Sequence, residues 1–161
     1  MAEGRGGNAV LSSGRSTGGM MRHEDVPDAF NALTESVIGA AMDVHSALGP
    51  GLVERLYEAA LAHELHLRAI PFARQRSITL TYKGVQLGEQ VVDLLVAECL
   101  VVELKSVETV SPIHLQQLVS YMRAGGWSVG LLINFNALRL KDGLFRRALT
   151  KGPRNQSYRP P

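Results

Sequence analysis

The chain has 161 residues, enough for one domain with its own core. A hydrophobic share of 45% and a charged share of 20% are ordinary for a globular protein, and a single cysteine, Cys99, excludes an internal disulfide framework. The formal net charge is +2, but residues 28–150 hold 11 Lys and Arg against 12 Asp and Glu, so the surplus lies in the tails and the charge balance alone gives no support for nucleic-acid binding by the domain.

Residues 1–24 are rich in Gly, Ser and Arg with few apolar positions, and residues 1–27 read as a disordered tail. They carry no continuous apolar segment before a small-residue cleavage site, so they do not read as a secretory signal. No apolar run nears the ~20 residues of a spanning helix. A cytoplasmic address, with no membrane partner, is the default expectation. Residues 151–161, with Gly152, Pro153, Pro160 and Pro161, read as a second loose tail. The domain is expected over 28–150.

From Phe30 to Leu48, apolar residues recur at three- and four-residue steps (Phe30, Leu33, Val37, Ala41, Val44, Leu48), which predicts an amphipathic helix ended by Gly49-Pro50-Gly51. A second helix is expected from about Leu52 to Arg68. Its apolar residues Leu52, Val53, Leu56, Tyr57, Ala60, Leu61 and Leu65 cover more than one stripe, so it is expected to be largely buried. Phe72 to Tyr82 alternates, with Ile78, Leu80 and Tyr82 on one face, and predicts a strand. Lys83-Gly84 is a turn. Val85 to Val96 is a second strand, bent or bulged around Gly88, and Leu100 to Lys105 a short third. Ser111 and Pro112 open a helix that stops at Gly125-Gly126, and Trp127 to Asn134 is a buried strand. Leu138 to Leu149 fits strand-then-helix or helix throughout. The order implies an α/β fold, a mixed sheet with helices packed on it.

Three charged residues interrupt strands that otherwise read as core: Asp93, Glu103 and Lys105. Glu103 and Lys105 are two apart and share a face. If the hairpin turns on Glu98, Asp93 faces Glu103 directly, where like charges repel unless a cation sits between them. Lys105 is one such cation, and a divalent ion on hard oxygen ligands is a stronger one. The Leu104 carbonyl is a further candidate ligand. Such an ion activates water and neutralises charge on a phosphoryl oxygen, and a lysine beside it steadies that charge. The bland reading is a same-face ion pair with Asp93 exposed. The apolar flanks Val101-Val102 and Leu94-Leu95-Val96 argue against it, because an unpaired carboxylate is expensive there. The facing register needs a three-residue loop, Ala97-Glu98-Cys99, which usually carries a Gly in left-handed geometry, and none is present.

Helical residues could join this group. Glu54 is either a further ligand or a first-turn carboxylate favoured by the helix dipole. His114, Gln117 and Tyr121 form one stripe, either bordering a substrate or partly buried with satisfied polar ends. His45 is a base or phosphate contact, or a local helix C-terminal interaction. Cys99, flanked by Glu98 and Leu100, has no activating cation in sequence and reads as a structural thiol.

Gly51-Leu52-Val53-Glu54-Arg55-Leu56-Tyr57 resembles the signature of the GxxExxY protein family. Val92-Asp93-Leu94-Leu95-Val96, Val102-Glu103-Leu104-Lys105 and Gly130-Leu131-Leu132-Ile133-Asn134-Phe135 are similar to it as well. That family is placed in the PD-(D/E)XK nuclease superfamily, with a restriction-endonuclease-like core of helix, three strands, helix and strand. The resemblance implies Asp93 and Glu103 as metal ligands for Mg²⁺ or Mn²⁺, Lys105 as the catalytic lysine, and Glu54 as the acidic residue of the first core helix, raised above its bland reading as a further ligand. Gln117 to Tyr121 matches a Q-x-x-x-Y element beside such sites. Val92 stands where many members have proline. The resemblance therefore implies a Mg²⁺-dependent nuclease acting on nucleic acid, with DNA as the expected substrate. A rival is a nuclease-fold module that binds nucleic acid or a protein without cleaving; a third option is an oligomeric accessory domain, with homo-oligomer formation left open.

Overall fold

The structure is a computed structural model and describes residues 28–149; the two tails and Thr150 lie outside the described residues. Helix α1 spans Asp28–Leu48 and α2 spans Glu54–Leu67. Strands β1 (Phe72–Tyr82), β2 (Val85–Val96) and β3 (Leu100–Lys105) follow, then α3 (Pro112–Gly125), β4 (Val129–Asn134), a 3₁₀ turn (Leu140–Gly143) and β5 (Leu144–Ala148). The five strands pair in sequence order, antiparallel except for β3 with β4, which run parallel through the α3 crossover. The expected mixed sheet flanked by helices is present, with the helix–three strands–helix–strand order of a restriction-endonuclease-like core.

Two cores lie on opposite faces of this sheet. On one, Val37, Ala41, Val44, Tyr57, Leu61 and Leu65 from α1 and α2 pack on Leu94, Val96, Leu100, Val102 and Leu104. On the other, Leu118, Val119 and Met122 of α3 pack on Val92, Leu95, Val101 and Leu132. β3 and β4 are covered on both faces, which is why their sequences read as nearly continuous apolar runs. Gly130 lets α3 come close to β4: a Cβ there would stand 2.6 Å from the Met122 sulfur.

Three expectations are corrected. The second helix is not buried all round. Tyr57, Glu58, Leu61, Ala62 and Leu65 form its buried side, while Val53 and Leu56 are exposed. The last segment contains no α-helix: a 3₁₀ turn leads into β5, which pairs with β4. Trp127 is buried in the α3 core but precedes β4, which starts at Val129.

The turn at Gly49-Pro50-Gly51 is held by Tyr57. Its hydroxyl donates to the Gly49 carbonyl at 2.5 Å and accepts the Leu52 N–H at 3.1 Å, and its ring stacks on Phe135 with centroids 4.6 Å apart. Gly49 and Gly51 have φ of 67° and 104°, which side chains other than glycine rarely adopt. The glycines and the tyrosine of the Gly51-x-x-Glu54-x-x-Tyr57 motif thus shape the chain, and the motif leaves Glu54 at the first position of α2.

Candidate functional site: the acidic row across β1, β2 and β3

The β2–β3 pairing of Leu94 with Val102 and Val96 with Leu100 places Asp93 across from Glu103 on the next row, as the hairpin argument required. The loop is Ala97-Glu98-Cys99 without glycine. Ala97 and Glu98 themselves take left-handed geometry, at φ 49° and 57°. Such residues cost about 1–2 kcal/mol each relative to glycine. The Ala97 N–H is recovered by the Pro71 carbonyl at 2.8 Å, and the Cys99 N–H by the Val96 carbonyl at 3.1 Å.

At Asp93 the alternation of faces slips by one residue. Val92 lies in the α3 core and Leu94 in the α1–α2 core, although an even strand would put both on one side. β1 slips on the same row: Phe72 packs against the α1–α2 core, whereas Ile78 lies in the α3 core. Gln75, opposite Asp93, has φ 50° and is skipped by the pairing between Arg74–Leu94 and Arg76–Val92. This paired slip takes Asp93 out of regular pairing. Its N–H goes to Glu103 Oε1 at 3.2 Å, and its own Oδ2 accepts the Leu104 N–H at 2.8 Å.

Each carboxylate of the row is thus a hydrogen-bond acceptor from the opposite strand, and each is desolvated. Burial raises the pKa of Glu103, with Asp93 adding to it, to about 8. Burial also raises that of Asp93, opposed by the Leu104 N–H and by the charge of Lys105, with the Gln75 amide helping to hold the anion. Glu54 is raised by burial and by Asp93 and Glu58, and Lys105 works against this. Asp93, Glu103, Glu54 and Lys105 therefore lie within electrostatic reach of one another. The Ser106 hydroxyl donates to the Leu52 carbonyl at 2.5 Å and ties the end of β3 to the start of α2. Asn134 fixes the following loop: its side chain accepts the Val107 N–H at 3.1 Å and donates to the Val107 carbonyl at 2.9 Å.

The α3 stripe reaches this row through one residue. The Gln117 amide donates to the Tyr121 hydroxyl at 2.8 Å, which donates to Gln90 Oε1 at 3.1 Å, and the charge of Glu103 adds to burial in raising the Tyr121 pKa. Two predicted candidates are bonded to main-chain atoms, His114 locally and His45 across the fold instead of at its own helix end. The His45 Nε2 donates to the Ala137 carbonyl at 2.8 Å. The His114 Nδ1 accepts the Ser111 N–H at 3.2 Å and closes the start of α3. Burial pushes the Cys99 thiol up to about 11, so it stays protonated at neutral pH.

Sequence reasoning missed Glu58 and Gln75. Buried Glu58, one turn beyond Glu54, accepts from Arg74 Nε and from the Gln75 amide, both at 2.9 Å. Its i+4 spacing from Glu54 was a readable signal. Gln75 sits in the polar run Arg74-Gln75-Arg76 and gives no such signal.

A hard divalent ion such as Mg²⁺ would draw on Asp93, Glu103, Glu54 and the Leu104 carbonyl. The donors do not fit it as they stand. One oxygen of Asp93 and one of Glu103 accept main-chain N–H groups, which leaves each carboxylate its second oxygen for an ion. Yet among the described residues, no group of three or more His, Cys, Asp or Glu side chains is placed to hold a metal ion. Also among the described residues, no helix is long and apolar enough to cross a membrane.

No curated protein and no solved structure matches the chain. Residues 31–148 match the family described as the PD-(D/E)XK nuclease superfamily, a span that takes in α2, the acidic row, α3 and all five strands. The chain belongs to the PD-(D/E)XK nuclease superfamily.

Proposed function

We propose that this chain is a nucleic-acid-binding module built on the nuclease fold, with DNA as its ligand and its acidic row held closed by its own backbone. The observation that carries this reading is the reciprocal bonding of the row: Asp93 N–H to Glu103, and Leu104 N–H to Asp93. These two bonds tie β2 to β3 at the row with no cation between them. Within the superfamily, the Gly51-x-x-Glu54-x-x-Tyr57 motif favours the GxxExxY group.

The test is binding of labelled DNA, followed by anisotropy, with and without a chelator. Binding should persist in the chelator and in the Asp93→Ala variant. Binding that vanishes with either change overturns the reading.

A second reading, metal-dependent phosphodiester hydrolysis, is favoured by one observation: the charges of Asp93, Glu103, Glu54 and Lys105 all act on one another. Under it, Asp93 and Glu103 offer their second oxygens to an ion, and Lys105 is the catalytic cation. Cleavage of single-stranded, double-stranded or branched substrates with Mg²⁺ or Mn²⁺, abolished by Lys105→Ala, would replace the first reading with this one.

A further inference from the structure

β1 and β2 are about twice the length of β3. They have 11 and 12 residues, and β3 has six. β2 pairs with β3 only through Leu94–Val96, whereas it pairs with β1 as far as Tyr82–Val85. Beyond the acidic row the hairpin is therefore a two-stranded ribbon. Seven residues, Arg76 to Tyr82, carry it out about 23 Å at ~3.3 Å per residue. Its root is fixed to α3 by Ile78 in the core and by the Gln90–Tyr121 bond. Its outer half is exposed, including Tyr82 at 61% and Val85 at 62%.

We propose that this ribbon enters a groove of duplex DNA, with Tyr82 and Lys83 as its leading contacts. The inference rests on the reading that the chain binds nucleic acid, and it names the surface and the form of the ligand. Three observations carry it. First, the shape fits: a two-stranded ribbon fills the ~12 Å major groove. Second, the tip joins an exposed aromatic ring to a cation, with the Lys83 Nζ 5.4 Å from the Tyr82 ring centroid. This pairing suits a phosphate and the adjacent base or sugar. Third, the sides suit a polyanion with hydrogen-bonding edges. Ser77, Thr79 and Thr81 share one side with Gln86 and with Glu89, which pairs with Thr79 and is the single acidic residue between Ser77 and Val92, while Arg76 and Lys83 place a cation at the root and at the tip. Arg76 is held only loosely, 3.8 Å from Glu98.

A second copy of the chain is a poorer occupant. β1 is an edge strand, but Gln75, at φ 50°, breaks its outer line, and Arg76 and Lys83 would repel wherever antiparallel pairing sets one opposite the other.

The test uses the full chain and a labelled duplex of about 25 base pairs, with affinity measured from about 50 to about 200 mM salt. Tyr82→Ala and Lys83→Ala should each weaken binding about tenfold. Lys83→Ala should also lower the slope of log affinity against log salt by about one, the mark of a lost phosphate contact. Arg139→Ala, which removes an exposed cation paired with Asp142 beyond β4, should bind within about twofold of the parent. If the parent binds duplex and both ribbon variants bind equally well, this inference fails and the proposed function stands. If the parent binds no DNA of any form, both fail. If sedimentation shows a dimer that Tyr82→Ala dissociates while DNA binding is unchanged, the ribbon is a self-contact and the inference is overturned.

Discussion

Replacing Glu103 with glutamine should stabilise the protein at alkaline pH and leave it nearly unchanged at acid pH. Glu103 is 5% exposed and faces Asp93, and its pKa is about 8 in the fold against 4.5 for an ordinary glutamate. A carboxyl whose folded pKa is raised binds more protons in the native state than in the unfolded one. Stability is therefore full below the unfolded pKa and falls as pH rises toward the folded one. Each pH unit in that window removes up to about 1.4 kcal/mol, so the span from about pH 5.5 to about pH 8 sets a ceiling of about 3–4 kcal/mol. Relaxation around the charge brings the expected loss to about 2 kcal/mol. Glutamine is neutral throughout and its Oε1 can still accept the Asp93 N–H, so the variant should lack this term. Urea unfolding of both proteins, followed through the buried Trp127, gives the two profiles. They should coincide within about 1 kcal/mol near pH 5.5 and diverge by about 2 kcal/mol near pH 8, with the variant more stable. Parallel profiles, or a parent that gains stability from pH 5.5 to 8 relative to the variant, would refute the desolvation argument.

Tyr57→Phe keeps the ring on Phe135 but leaves the Gly49 carbonyl and the Leu52 N–H without their shared partner; thermal unfolding should show a loss of about 1–3 kcal/mol. Glu98→Gly should gain about 0.5–1 kcal/mol by relieving a left-handed residue in an exposed turn, and a loss in urea unfolding would mean that the strain is not stored there. Asn134→Ala removes both bonds to Val107, so amide exchange at Val107 should rise sharply while exchange in α1 stays at its parent level.

The first three strands were legible because turn residues bound their apolar runs, even though the slip at Gln75 and Asp93 mixes their faces. Phe72–Tyr82, Val85–Val96 and Leu100–Lys105 begin and end where alternation and turn residues place them. The register at Asp93 and Glu103 also followed from counting, even though the turn breaks the preference for glycine. β5 was not legible because Leu140, Leu144 and Ala148 are spaced by four, which satisfies a helix and a strand equally. The face of α2 was misread because Val53 and Leu56 are apolar yet exposed, and composition carries no direction. Gln75 stayed hidden for a different reason. Its role comes from a slip shared with a strand far along the chain, and nothing in its own neighbours marks the break.

Tyr57 does its work through a hydroxyl that spans a bend in the main chain, although it stands within one helical turn of Glu54, a charged residue that chemistry would use. A chain could lose every acidic side chain of β2 and β3 and still need that tyrosine and its glycines to build α2. The most recognisable letters of this sequence are therefore a record of architecture, and their presence in a protein says how it is assembled before it says what it does.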